Sequence, residues 1–460
     1  MTHPTRRRLL LTALAASAGS LAACATRPAA SDMTPIVFVP GNGDTAALWM
    51  TTIWRFESNG WPRDRLHAID LPYPLARDDD SKPQPGRTST AEHTAYLAAE
   101  VKKVLARTGA KKVALVGNSR GGYPIRNFIA NGGGAAVVSH AVLCGVPNHG
   151  VNYDTTTRLG NEFNGAGPFL TGLNAPRDGS GNETTPGVAW MTIRSDNNDK
   201  YAQPTDAWLG NRGIATNVSY DGPALKGAEN VVIAGIDHRE TGFSAKAFAP
   251  MFRFIAGRPA MTLDIKPEAT VVLNGTLSGL GLDNRTGNFA TNLPLVGARL
   301  EVYGIDAATG ERIGAARHRK TIDADGRWGP FTTGPQERLE FVISAPGYAT
   351  THIYRSPFPR SSEIVSLRPE RVIDAERDAK AIVVLTRPRG YFGLPRDRIV
   401  LDGISPPAGI PTGVAGVASA RLKLADAASR AVVGEFNGER IVGRTWPAAD
   451  GQVTVLELTG

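Results

Sequence analysis

A serine between glycines, directly after an apolar run, is the first feature of this 460-residue sequence that could do chemistry. Gly117-Asn118-Ser119-Arg120-Gly121 has the spacing Gly-x-Ser-x-Gly, follows Val113 to Val116 and precedes a helix-like segment. Glycines let a chain turn tightly from a strand into a helix, and the serine hydroxyl then stands at a helix N-terminus that favours developing negative charge. The pattern predicts that Ser119 is a nucleophile.

A serine hydroxyl needs a neighbouring base to react near neutral pH. His238 follows the late apolar run Val231 to Ala234 and precedes the last helix-like segment of this half of the chain. We predict that His238 is the general base and then the general acid. His149, in Pro147-Asn148-His149-Gly150, is the alternative, but its position favours a residue of a loop or of the site's rim.

The histidine requires an acid, and two candidates follow the strand-like segment Ala189 to Ile193. Asp199 has the better offset from the strand end, and Asp196 is the alternative. The acid would fix the imidazole tautomer and stabilise the imidazolium without accepting its proton.

A developing oxyanion needs two preorganised N–H donors. We expect one from the amide of Arg120, directly after the nucleophile, and the other from Asn42 in the small-residue loop Pro40-Gly41-Asn42-Gly43.

From about residue 34 to 257, apolar runs alternate with amphipathic segments. The strands predicted from the apolar runs cover 36–39, 65–71, 113–116, 141–145, 189–193 and 231–234, and the helices 44–58, 89–107, 123–130 and 244–255. Ser89-x-x-Glu92 is a capping box, which marks a helix start. Continuous apolar strands that alternate with helices predict an α/β fold whose parallel sheet has helices on both faces.

Helical periodicity disappears after Gly257-Arg258-Pro259. Alternating strand-like segments follow, such as 299–303 and 339–343, and Asp325-Gly326 between them signals a tight turn. We predict a linker at 258–264, a sandwich-like all-β region at 265–370 and a second β-rich module at 371–460.

The first half of the chain resembles the α/β-hydrolase superfamily and, within it, the bacterial class 2 (secreted triacylglycerol) lipases and esterases. The resemblance covers about 34–257 and is carried by residues 39–43, 117–122, 145–150, Asp199 and His238. The sequence departs from that family at Pro40, where a histidine is usual, and at Asn118 and Arg120 in the serine motif. The resemblance implies a serine carboxylic ester hydrolase that forms an acyl-enzyme on Ser119.

The β region resembles the transthyretin or carboxypeptidase-regulatory type of sandwich. This resemblance covers 297–350 and is strongest at Ala324-Asp325-Gly326-Arg327-Trp328. It implies a fold and no activity.

The N-terminus has the form of an export signal. Arg6, Arg7 and Arg8 precede a short apolar run that ends in Leu21-Ala22-Ala23-Cys24. The arginine pair resembles a twin-arginine signal, and the last four residues resemble a bacterial lipobox in which Cys24 is lipidated. An ordinary signal, cut at a small residue, is the alternative.

Residues 1–24 therefore predict export, followed by a linker at 25–33. The mature protein would be a periplasmic or outer-membrane lipoprotein, or extracellular. We expect it to contact a membrane only through an N-terminal lipid anchor.

The composition argues against several other classes of protein. With 42% hydrophobic and 20% charged residues, the chain is too apolar to be disordered. Its formal charge of +8 is spread along the chain, which argues against nucleic acid as a partner. Two cysteines and the lack of any cluster with metal-ligand spacing predict no metal, and the mechanism requires no cofactor. The sequence does not indicate an oligomeric state.

The expected substrate is an ester or lipid, either soluble or polymeric. Two further hypotheses about the function remain open. A polyester depolymerase would use the β region to bind an insoluble surface, so deletion of 265–460 should spare the hydrolysis of soluble esters. A non-catalytic lipoprotein would use the β region to bind a polysaccharide or protein.

Residues 151–187, rich in Gly, Asn, Thr and Pro, are predicted to cap the active site or to form a surface loop.

Overall fold

The computed structural model describes residues 33–205, 213–283 and 287–460. The predicted export signal, Cys24 and nearly all of the following linker lie outside the described residues. Thr34–Gly460 form one compact unit, and the description below concerns that unit.

Six strands of the first half form a parallel sheet in the order β2-β1-β3-β4-β5-β6. They are β1 (Ile36–Val39), β2 (Leu66–Ala68), β3 (Val113–Asn118), β4 (Val138–Cys144), β5 (Ala189–Ser195) and β6 (Glu229–Ile233). β1 and β3 are buried along their whole length, as expected for the central strands of a sheet covered on both faces.

Helices cover both faces of this sheet. The described helices are α1 (Met50–Ser58), α2 (Thr90–Thr108), α3 (Gly122–Asn131), α4 (Pro168–Asn174), α5 (Glu240–Phe243) and α6 (Ala245–Ala256). Val37 and Val39 pack in one core cluster with residues of α2 and α3, whereas the Phe38 ring contacts Phe56 of α1. Because side chains alternate between the faces of a strand, these contacts lie on opposite sides. The predicted α/β architecture is confirmed.

The predicted capping box opens α2. Ser89 Oγ accepts the amide of Glu92 at 3.1 Å, and Glu92 Oε2 accepts the amide of Ser89 at 2.7 Å. The helix ends at Thr108 and is capped by Gly109, whose φ of +66° is the left-handed conformation that glycine adopts most easily.

The second half of the chain is all-β, as predicted. Its described strands are β7 (Val271–Leu273), β8 (Ser278–Asp283), β9 (Gly287–Pro294), β10 (Arg299–Gly304), β11 (His318–Thr321), β12 (Phe331–Thr333), β13 (Leu339–Ser344), β14 (Thr350–Arg355), β15 (Ala381–Thr386), β16 (Ile399–Leu401), β17 (Ser419–Leu424), β18 (Ala431–Phe436), β19 (Glu439–Arg444) and β20 (Gln452–Glu457).

Seven of these strands form one sheet in the order β11-β10-β13-β14-β20-β15-β17. Most neighbours are antiparallel, but β20 lies parallel to both β14 and β15. The two regions that the sequence divides at residue 370 therefore contribute strands to the same sheet.

The β region packs directly against α1. Met50 and Trp54 belong to the same buried cluster as Trp328, Phe341 and other core residues of the β region. Trp54 Nε1 donates to the carbonyl of Ser361 at 2.9 Å. The hydrolase-like half and the β region thus share a hydrophobic core.

Candidate active site

Ser119 lies in a sharp turn between β3 and α3. Its φ of +52° is unusual for a residue with a side chain. A Cβ added at Gly121 would lie 2.4 Å from the carbonyl oxygen of Val39, and one added at Gly117 would lie 2.8 Å from the carbonyl oxygen of Gly121. The turn therefore needs glycine at both positions, which explains the Gly-x-Ser-x-Gly pattern.

His238 and Asp199 meet in the structure. His238 Nδ1 lies 2.8 Å from Asp199 Oδ2, and both side chains are buried. Asp199 follows β5 and His238 follows β6, so adjacent parallel strands bring the two loops to the same edge of the sheet. The amide of Tyr201 donates to Asp199 Oδ1 at 2.8 Å, which helps to hold the carboxylate against the imidazole.

Asp196, the alternative acid, has other partners. Its Oδ1 accepts the Ser195 hydroxyl at 3.1 Å and the Asn198 amide at 3.2 Å, and its Oδ2 accepts the Gly235 amide at 3.2 Å. These contacts tie together the loops that follow β5 and β6.

A cavity of about 240 Å³ joins the nucleophile to the histidine. Its lining residues are Asn42, Asp44, Ser119, Pro147, Val151, Phe163, Tyr201, His238 and Tyr391. His238 Nε2 is buried and has no hydrogen-bond partner among the described residues. Contacts between a nucleophile and its base are often longer than a hydrogen bond before substrate binds. The free nitrogen can therefore serve as a proton acceptor in this cavity.

The predicted oxyanion loop lies against the nucleophile. A Cβ added at Gly41 would be 3.1 Å from Ser119 Cβ, so glycine allows this close approach. Asn42 Oδ1 accepts the amide of Ala76 at 2.8 Å, which fixes the loop beside the cavity. Arg120 follows Ser119 in the turn that leads into α3, where the first backbone amides of a helix lack acceptors within the helix.

Asn118 has a role that the sequence did not reveal. Its Nδ2 lies within hydrogen-bond distance of the carbonyl oxygens of Cys144 and His238, at 3.0 and 3.2 Å. The Thr241 hydroxyl donates to the same His238 carbonyl at 2.7 Å. The residue before the nucleophile thus supports the backbone of the histidine.

The Arg120 side chain is fully buried and pairs with Glu162, in addition to the role expected of the Arg120 backbone amide. Its Nε and Nη2 donate to the two oxygens of Glu162 at 2.7 and 2.9 Å, and further bonds reach the carbonyls of Pro74 and Thr88. Burial raises the pKa of Glu162 even though Arg120 favours its charged form. The pair anchors the insertion that carries Phe163, a wall of the cavity.

His149, the alternative base, lies outside the lining of this cavity. Its Nδ1 is 2.7 Å from the carbonyl of Gly222 and its Nε2 is 3.1 Å from Glu183 Oε1. The hydrogen bond to Glu183 raises the pKa of His149. Both ring nitrogens are therefore engaged away from Ser119.

The described residues contain neither a candidate metal site nor a candidate membrane span. No group of three or more His, Cys, Asp or Glu side chains there could hold a metal ion. None of the helices in those ranges has the length and apolar character needed to cross a bilayer.

Residues 34–191 match the family model described as alpha/beta hydrolase fold. Residues 34–191 therefore have the α/β-hydrolase fold. Residues 270–372 match the model of the Lipase C-terminal domain, which falls on the all-β region. These matches, together with the sheet order, confirm the hydrolase fold predicted from the sequence.

Solved structures similar to the chain include those of a bacterial lipase and a bacterial phospholipase. The propeptide form of the Bacillus licheniformis lipase BlEst2 is 14% identical, with 92% of this chain and 94% of that chain covered and a TM-score of 0.36. Its mature form is 18% identical over 48% and 90%, with a TM-score of 0.34. Phospholipase PlaB from Legionella pneumophila is 14% identical over 75% and 95%, with a TM-score of 0.33.

Proposed function

We propose that the chain is a serine carboxylic ester hydrolase, of the lipase and esterase kind, that acts through an acyl-enzyme on Ser119. The observation that carries the proposal is the buried His238–Asp199 contact at 2.8 Å, beside a cavity that His238 and Ser119 both line. The free Nε2 of His238 supports a role as proton acceptor for the serine hydroxyl.

In this mechanism Ser119 Oγ attacks the carbonyl carbon of the ester and gives its proton to His238 Nε2. The amides of Asn42 and Arg120 stabilise the oxyanion, and Asp199 stabilises the imidazolium through Nδ1–H. The bond to the alcohol then breaks, and the alcohol leaves with the proton held by His238. Water, deprotonated by His238, attacks the acyl-enzyme and releases the carboxylic acid and the free serine.

The cavity supports a compact acyl group. Its volume of about 240 Å³ lies below the roughly 300–1,000 Å³ of sites for drug-sized ligands. Apolar and aromatic side chains form much of its wall, including Val151, Phe163 and Tyr201. Short-chain esters are therefore the proposed test substrates.

Export and lipidation are part of the proposal, supported by Arg6, Arg7 and the Leu-Ala-Ala-Cys run that ends at Cys24. Growth of a bacterial host with labelled palmitate should label the full chain and leave Cys24→Ser unlabelled. Equal labelling of the two, or none of the wild type, would contradict a lipid anchor at this residue.

The activity is tested by the hydrolysis of 4-nitrophenyl acetate and butyrate. Ser119→Ala and His238→Gln should each lower kcat by at least about 10³-fold, because each removes an essential member of the set. Ser429→Ala, which changes an exposed serine of the β region, is the control and should keep wild-type turnover. Full activity of Ser119→Ala would refute the proposal.

A further inference from the structure

The turn that carries His238 is organised around the neighbouring Asp237. Asp237 is fully buried, and its Oδ1 accepts the amides of Arg239 and Glu240 at 2.8 and 2.9 Å. Its own amide donates to Glu240 Oε2 at 2.5 Å. The Asp237 carboxylate therefore fixes the backbone after the histidine, and the Glu240 carboxylate fixes the backbone before it.

The other oxygen of this carboxylate is held by residues more distant in the chain. Asp237 Oδ2 accepts Arg387 Nη1 at 2.6 Å and the amide of Tyr391 at 2.8 Å. Arg387 is itself buried, and its Nη2 donates to Glu240 Oε1 at 2.6 Å. Arg396 adds a bond from Nη1 to Glu240 Oε2 at 2.8 Å. Both acids of the histidine turn are thus paired with arginines of the 387–397 segment.

The pKa of Asp237 is consistent with these contacts. Burial alone would disfavour a charged Asp237, but the guanidinium groups of Arg387 and Arg396 hold its pKa below the ordinary value. An acid kept charged beside His238 needs those cations, because a buried carboxylate without a partner is strongly unfavourable.

Tyr391 extends the same segment into the active site. The residue is nearly buried, lines the cavity with Ser119 and His238, and has the Lys200 ammonium 3.8 Å from its ring centre. The Arg239 guanidinium lies 4.7 Å from the same ring. Tyr391 is therefore a fixed wall of the cavity, supplied by the β region.

The loop of the catalytic acid also meets the β region. Asn198 Oδ1 accepts the amide of Ala415 at 3.3 Å, and Lys200 Nζ donates to the carbonyl of Gly416 at 2.9 Å. Asn198 and Lys200 flank Asp199 in the sequence. The loop of His238 and the loop of Asp199 are therefore both held by residues that follow residue 386 in the sequence.

We infer that the 387–397 segment belongs to the active site: Arg387 is a positioning residue that orients His238 through Asp237, and Tyr391 limits the acyl group that the cavity accepts. The inference rests on the proposed ester hydrolysis. The segment lies outside both family matches, which end at residues 191 and 372. The active site thus includes a segment that follows both matched regions.

The positioning role is tested with Arg387→Met, Arg387→Lys and the control Arg398→Met. Arg398 is an exposed arginine of the same stretch of chain without a side-chain partner among the described residues. Arg387→Met should lower kcat for 4-nitrophenyl butyrate by about 10- to 100-fold with KM changed less than about threefold, because misplacing a catalytic group mainly affects the chemical step. Arg387→Lys should be intermediate, and Arg398→Met should match the wild type. Wild-type kcat in Arg387→Met would overturn the inference.

A purely structural role is tested with the double variant Asp237→Asn/Arg387→Met, which leaves no unpaired buried charge. We expect its melting temperature to recover relative to Arg387→Met while kcat stays low. Joint recovery of melting temperature and kcat would show that the pair only stabilises the fold and would overturn the positioning role. This comparison also decides the question if Arg387→Met alone does not fold.

The role of Tyr391 is tested with Tyr391→Ala and Tyr391→Phe over esters of increasing acyl length. Tyr391→Ala enlarges the cavity and should shift the preference in kcat/KM towards longer chains at least fivefold. Tyr391→Phe keeps the ring and should retain the wild-type order. An unchanged order in Tyr391→Ala would overturn this part of the inference.

Failure of the inference can be told from failure of the proposed function. If the wild type neither hydrolyses esters nor reacts with a fluorophosphonate, the proposed function fails and the inference fails with it. If the wild type reacts and Arg387→Met reacts equally fast, only the positioning role fails.

Discussion

Asp199 and Asp196 follow the same strand but contact different groups. Asp199 reaches the His238 imidazole, whereas Asp196 accepts the Ser195 hydroxyl and the amides of Asn198 and Gly235. One aspartate is thus placed to act on the imidazole and the other to hold two loops together.

Exchanging each aspartate for asparagine should separate these roles. Asp199→Asn should lower kcat by about 10³- to 10⁴-fold, because an amide holds the wrong imidazole tautomer and does not stabilise the imidazolium. Asp196→Asn is the matched control and should keep kcat within about threefold, since Asp196 does not contact the imidazole and the amide oxygen can keep the bonds that Oδ1 accepts. Steady-state kinetics with 4-nitrophenyl butyrate measures both. The reverse order of losses would make Asp196 the acid.

Residues of local motifs could be predicted from the sequence, but their distant partners could not. Ser119 was recognisable from glycines beside it, and His238 from its place after a late strand. Arg387 looks like any arginine of a β-rich region, and its bond to Asp237 joins residues 150 positions apart. Only the folded chain brings such groups together, so no spacing in the sequence indicates the pair.

Among the elements, the insertion 151–187 contributes directly to the wall of the cavity. Val151 and Phe163 form part of the wall, and Leu170 and Leu173 of α4 are buried in the core cluster that also holds Val37 and Val39. Its Gly- and Asn-rich composition suggested a cap or a loop and gave no sign of this anchoring. The charge partner that fixes it, Arg120, was predicted only for its backbone amide.

Breaking the Arg120–Glu162 pair should destabilise the protein. Glu162→Ala leaves a buried guanidinium without its carboxylate and should lower the free energy of unfolding by about 3 kcal/mol. Glu100→Ala, which removes an exposed pair with Lys103 on α2, should change it by less than about 0.5 kcal/mol. Urea denaturation curves measure both values. Equal losses would mean that the buried pair does not anchor the insertion.

At the scale of the whole molecule, the β region is continuous with the hydrolase domain. Trp54 of α1 lies in the β-region core, and Arg360 Nε donates to Glu57 Oε2 at 2.8 Å. The alternation of apolar and polar residues correctly predicted β-structure in this region. It could not predict that β14 pairs with β20, because a parallel pairing between strands this far apart has no local signature.

A fragment that ends at residue 257 should therefore fail as an enzyme. It would expose Met50 and Trp54 to water and lose the 387–397 segment, so we expect poor solubility and no turnover of soluble esters. A chain that lacks only residues 1–24 is the control and should keep full turnover. A soluble, fully active 34–257 fragment would instead favour a detachable β region, as in a polyester depolymerase with a surface-binding module.

The most direct test of the whole account is covalent labelling of the intact protein with a fluorophosphonate, followed by peptide mass spectrometry. The account predicts one phosphonate on the peptide that contains Ser119, formed at least about 10²-fold more slowly in His238→Gln because the serine then lacks its base. A folded protein that stays unlabelled would contradict the account and favour a non-catalytic, surface-binding lipoprotein, and labelling at another serine would contradict the proposed nucleophile.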